Sequence, residues 1–243
     1  MELAGRIVLV VAGVTIVVAT IGSAVKTVVL PRSAVSQITR AVFLTMRRIL
    51  WVFARPSIPF ERRDRILALY APLSLLATLA TWLLLTLVGY TLIFWGVDGG
   101  TYLDAFELSG SSLLTLGITR PPSEVATVLV FTEAAIGLLL LALMITYLPS
   151  LYSAFSRREQ EVTALEVRAG SPPSGRELIW RYWVLERAHA LTDVWRSWER
   201  WFVDIEESHS SFPAIVFFRS PQPDHSWITS AGAVLDGAAL AVS

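Results

Sequence analysis

The chain has 243 residues, more than half of them apolar and only 16% charged, a balance that excludes an ordinary water-soluble domain. Formal charge is zero and Lys26 is the only lysine, so no overall field steers the chain toward nucleic acid or an acidic substrate, and no nucleic-acid partner is expected. Cysteine is absent, which excludes disulfides, thiolate metal sites and cysteine nucleophiles.

In chain order, Ile7 to Val25 is an apolar, β-branched run that stays uncharged until Lys26. About 20 such residues at 1.5 Å each match a hydrocarbon core of roughly 30 Å, so the run predicts a spanning helix within residues 1–30. Gly22-Ser23-Ala24 also offers a small-residue cleavage site, but the run is longer than a usual signal-peptide apolar region. Residues 31–66 form an arginine-rich linker carrying Arg32, Arg40, Arg47, Arg48, Arg55, Arg62, Arg63 and Arg65. Within it Ala41 to Ala54 is too short to span. Its Val42, Phe43, Ile49, Leu50 and Phe53, with Arg47 and Arg48 between them, predict a helix lying along the inner interface or packed on a neighbouring subunit.

Leu67 to Val97 is long enough to span and ends in Tyr90, Phe94 and Trp95, aromatics expected at headgroup level; Val125 to Leu148 is a third span, interrupted by Glu133. The segment between these two has a single basic residue, Arg120. Positive-inside reasoning then places the N-terminus outside, the linker in the cytoplasm, Asp98 to Glu124 outside and the chain after Arg157-Arg158 in the cytoplasm, in a multi-pass protein of the cell membrane.

Asp98-Gly99-Gly100 is a turn, yet Tyr102 to Leu114 is half apolar and helix-like, with Thr101 as an N-cap. About 13 residues make a helix of roughly 20 Å, too short to cross but suited to re-entering the bilayer. Leu113 to Thr119 is expected to be an extended return, and Arg120-Pro121-Pro122 leads back to the surface.

Over Leu67 to Tyr152 the sequence resembles the pore-loop potassium-channel superfamily, in particular its small bacterial and two-pore members. The residues that carry the resemblance stand in that family's order. They are Tyr102 opening a pore helix, Ala105, Ser109, the filter start Thr115-Leu116-Gly117, a proline after it and Gly137 in the inner helix. The resemblance implies an all-α membrane protein with three transmembrane helices, a re-entrant pore helix and filter, and a cytoplasmic helical domain. It implies a homotetramer surrounded by membrane lipids, with Thr115, Leu116, Gly117, Ile118 and Thr119 as the filter. The permeant species would be a monovalent cation, potassium or sodium, and no cofactor or metal is expected. The family filter reads Thr-Val-Gly-Tyr-Gly-Asp, whereas this chain has Ile118, Thr119 and Arg120 in the outer half. A β-branched residue at the second glycine position resists the positive φ expected there, so strict potassium selectivity does not carry over.

Glu133 is an acid inside a span and therefore a functional candidate, expected to brace the filter through Ser111, Ser112 or Thr115, or else to be satisfied between helices without a role in conduction. Leu140, Leu143 and Tyr147 recur on one face and, with Gly137, are expected to line the cavity and gate or to serve as packing. Pro149 is expected to end or kink the inner helix. Residues 67–156 thus make a pore domain and 157–243 a cytoplasmic one.

In that last part Gly170 to Gly175 is a break, and Arg176 to about Glu207 reads as helical. Its tryptophans, Trp180, Trp183, Trp195, Trp198 and Trp201, fall at spacings that predict a packed stripe. His209 beside Glu206 and Glu207, and His225 beside Asp224, suggest a metal or pH sensor less strongly than ordinary surface roles. Trp227 to Val242 is a further apolar helix candidate. Rival functions are a non-conducting membrane scaffold or regulatory subunit, favoured by Thr119 and Arg120, and a transporter using Glu133. No enzyme is expected, because no nucleophile, acid-base pair or metal cluster converges in the spans.

Overall fold

A computed structural model describes residues 2–30, 36–55, 57–220 and 225–242. Arg32 of the linker and Asp224 lie outside the described residues. The described elements are helices: α1 Leu3–Ala24, α2 Gln37–Phe53, α3 Phe60–Ala68, α4 Tyr70–Asp98, α5 Tyr102–Leu113, α6 Glu124–Ala169, α7 Gly175–Val184, α8 Leu191–Ser211 and α9 Trp227–Val242. Three helical stretches, Leu3–Val29, Phe60–Asp98 and Glu124–Ala169, are long and apolar enough to cross a membrane. The chain forms two compact units.

The first unit comprises Met1–Met46 and Leu73–Leu148. Here α1 and α4 run antiparallel in close contact. Arg6 near the start of α1 donates to the carbonyls of Gly96 and Val97 at the end of α4, while Trp82 Nε1 donates to Ser23 Oγ at 3.0 Å near the other end. The pair is held by close backbone approach and a few polar ties. Glycine provides the approach: a Cβ on Gly13 would lie 2.4 Å from the Gly89 carbonyl oxygen, and one on Gly96 would lie 2.8 Å from that of Arg6. A core of Val17, Tyr90, Ile93, Phe94, Ala105, Leu108 and Ala126 then joins α1, α4, α5 and α6.

The second unit comprises Arg47–Pro72 and Pro149–Ser243. Val162, Leu165, Ala169, Leu178, Val194, Trp198, Trp201, Ala233 and Val234 form its core. Arg158 is fully buried in this unit. Its guanidinium donates to the Ile215 and Phe218 carbonyls at 3.2 and 2.8 Å and to Glu159 at 2.9 Å, and lies over the Phe155 and Trp227 rings. A buried charge is tolerated when its donors are matched in this way.

Several sequence expectations change. The boundaries at residues 30, 66 and 156 are not those of the compact units, because the linker divides between them and the inner helix passes from one to the other. Pro149 does not end α6, which continues unbroken to Ala169; the residues on both sides of it supply enough helical hydrogen bonds to carry the missing donor. The helical stretch expected from Arg176 to Glu207 is found as two helices, α7 and α8, parted after Val184, where Glu186 adopts φ 54° and a 3-10 turn at Ala188–Ala190 intervenes. The tryptophan stripe survives only in part, since Trp198 and Trp201 are buried and Trp195 is partly so, while Trp180 and Trp183 are exposed.

Candidate functional site

The segment between α4 and α6 opens with a reciprocal cap. The Thr101 hydroxyl accepts from the Asp104 amide at 3.1 Å and donates to Asp104 Oδ2 at 2.7 Å, and the same oxygen accepts from the Thr101 amide. This satisfies donors that a helix start otherwise leaves free. α5 then runs to Leu113, its residues Ala105, Leu108, Ser109, Ser111, Ser112 and Leu113 buried. At its far end a Cβ on Gly137 would come within 2.8 Å of the Leu113 carbonyl, so Gly137 is the position where α6 admits the end of α5. Ser112 Oγ donates to the Val130 carbonyl at 2.7 Å, a second tie between the two helices.

Beyond α5 the chain does not form the extended strand expected from sequence. Leu114 and Thr115 make a tight turn, and positive φ values occur at Thr115 (55°) and Gly117 (67°). Thr119, where strain was expected, is not among the positive-φ residues described. The strain sits at Thr115 instead, a β-branched residue held in the left-handed region.

Ser111 organises this segment. Its carbonyl oxygen accepts from the Leu116 amide at 2.8 Å and the Gly117 amide at 3.5 Å. Its hydroxyl accepts from the Ile118 and Thr119 amides at 3.0 and 3.2 Å. Four successive N–H groups therefore point to one residue. In a planar trans peptide the carbonyl of one residue points opposite to the N–H of the next. The carbonyls of Thr115, Leu116, Gly117 and Ile118 accordingly face away from Ser111, which a regular strand with its alternating groups would not achieve. The Leu116 and Ile118 side chains are 57% and 76% exposed. A pocket of about 170 Å³ is bounded by Leu108, Ser111, Ser112, Thr115, Gly117, Thr119, Val130 and Ala134.

Behind the turn, Glu133 is fully buried. Its closest partner is Ser109, with the expected Ser112 hydroxyl also beside the carboxyl, whereas Ser111 and Thr115 are not bonded to it: Ser109 Oγ lies 2.5 Å from Glu133 Oε1 and 3.1 Å from the Leu87 carbonyl. A hydroxyl has one proton for two acceptors, so Ser109 Oγ donates to one of the two at a time. Glu133 Oε2 is buried without a hydrogen-bond partner. Ser109 was legible in the sequence only as a family position, and the signal for its pairing is the polar residue on a buried α5 face opposite an intramembrane acid.

Of the residues expected either to line a cavity and gate or to serve as packing, two are packed inside the chain. Leu140 and Tyr147 are buried within the chain, alongside Met144 and Leu151, and Leu143 is half-buried. Phe131, Ala135, Leu138, Ala142 and Ile145 share one exposed face of α6. Pro149 is exposed within the continuous helix.

Among the described residues no group of three or more His, Asp or Glu side chains is placed to hold a metal. His225 pairs with Glu166 at 2.8 Å. His209 stacks at 5.2 Å on Trp227, and its Nδ1 lies 2.9 Å from the Ile205 carbonyl. Burial first, and the nearby Arg158 charge second, hold the His209 pKa below its ordinary value. Comparison with protein-family models, curated proteins and solved structures finds no match for this chain.

Proposed function

We propose that this chain is one subunit of a tetrameric pore-loop channel for monovalent cations, seated in the cell membrane with its N-terminus outside and its C-terminal part in the cytoplasm. The observation that carries the reading is the fourfold convergence of amides on Ser111, which turns the carbonyls of Thr115 to Ile118 outward as a row. Such a row replaces part of an ion's hydration shell, and a ring of four copies completes it. The capped helix α5 between two apolar helices supports the same reading, because its C-terminal end carries about half a negative charge and favours a cation nearby. The exposed Leu116 and Ile118 side chains find cover when neighbouring copies pack around the same axis. With isoleucine, threonine and arginine after Gly117, the outer half differs from a potassium filter, and the reading includes sodium as well as potassium.

The test is flux through purified protein in liposomes, with reversal potentials measured under potassium, sodium and chloride gradients. Cation-selective flux that disappears in Gly117→Asp supports the channel. An intact tetramer without flux supports a non-conducting scaffold or regulatory protein, and chloride selectivity overturns the carbonyl-row reading.

A further inference from the structure

The strongest unassigned surface feature is the arginine-rich stretch of α2 and α3 between residues 47 and 65. It carries Arg47, Arg48, Arg55, Arg62, Arg63 and Arg65 against only Glu61 and Asp64, and Asp64 is already engaged by Arg219. None of these six arginines has an acidic partner within ion-pair distance among the described residues, and Arg63 Nε is buried without a hydrogen-bond partner. Large apolar side chains stand exposed between them: Ile49, Trp51, Val52, Phe53 and Phe60. Arg63 lies 5.9 Å over the Trp51 ring, so cation and aromatic share one surface. In the chain, Leu69 alone separates α3 from α4, a helix apolar enough to cross a membrane.

We infer that this stretch is a binding site for anionic phospholipid headgroups, with Arg47, Arg48, Arg62 and Arg65 meeting phosphate while Trp51, Phe53 and Phe60 enter the acyl boundary. Charge complementarity selects the occupant. Unpaired guanidinium groups interleaved with aromatics match a negatively charged interface, whereas a purely apolar partner would strand the charges. The inference rests on the membrane-embedded reading of the long helices and does not require conduction.

Native mass spectrometry of the full chain, released from a neutral detergent after incubation with equal amounts of phosphatidylglycerol and phosphatidylcholine, tests it without any ion gradient. Retained phosphatidylglycerol should exceed phosphatidylcholine by more than roughly tenfold, and the preference should fall by roughly fivefold in Arg47→Gln, Arg48→Gln or Arg62→Gln alone and vanish in the triple variant that combines them. Equal retention of the two lipids, or an unchanged preference in the triple variant, overturns the inference. Should the triple variant fail to fold, the wild-type protein decides: its preference must shrink as salt is raised, and a salt-independent preference overturns the site. Inorganic phosphate at matched concentration should leave the lipid bound, and displacement by it overturns the lipid assignment. A triple variant that keeps its lipid but loses its oligomer assigns the face to a second copy of the chain.

Discussion

Thr115 holds a φ of 55° that its β-branched side chain resists, and it does so because the next four amides are all committed to Ser111. The strain is stored where the carbonyl row begins. Glu133 supports this arrangement from behind through Ser109, whose α5 neighbour two residues on is Ser111. Glu133→Ala should lower the stability of the detergent-solubilised protein by about 1–3 kcal/mol in thermal unfolding, since the buried Ser109 hydroxyl loses its carboxyl partner. Glu133→Gln should lose less, because its amide oxygen can still accept from Ser109, and a larger loss for Gln than for Ala would refute the pairing.

His209 gives a pH dependence with a definite sign. Its Nδ1–H donates to the Ile205 carbonyl, its Nε2 is buried without a partner, and its folded pKa lies below the ordinary value of 6.5. The unfolded chain therefore binds the proton first as pH falls, so the His209 contribution is present above about pH 6.5 and is lost below it. Melting of the full chain between about pH 7.5 and 5 should show this loss, and His209→Asn should flatten it. An unchanged slope in that variant would show that other groups carry it.

At the scale of elements, the α1–α4 pair depends on glycine spacing more than on apolarity. A methyl at Gly13 would meet the Gly89 carbonyl at 2.4 Å, and that backbone cannot rotate away as a side chain would. Gly13→Ala should therefore cost about 1–3 kcal/mol in resistance to denaturing detergent. By contrast, Gly22→Ala, which meets nothing within 4 Å, should be neutral within about 0.5 kcal/mol. Equal effects from the two substitutions would show that close approach is not what holds the pair.

For the whole molecule, the exposed Leu116, Ile118, Leu138 and Ile145 leave apolar surface that a single chain does not cover. Tetramers are the expected species in native mass spectrometry from mild detergent, and a monomer or dimer as the sole species would remove the pore. The sequence by itself determined the three apolar helices, the short capped helix between the last two and the basic linker. Helix length, hydrophobicity and capping are local properties, and Thr101 and Asp104 stand three residues apart in one turn. Only the tertiary structure decided the rest. Ser109 rather than Ser111 meets Glu133, Leu140 and Tyr147 face inward, Trp183 faces out, and α6 passes through Pro149. Each of these depends on which helix face another helix covers, and helical periodicity names a face without naming its partner. The carbonyl row depends on amides from Leu116 to Thr119 meeting one serine, a convergence that no spacing in the chain encodes.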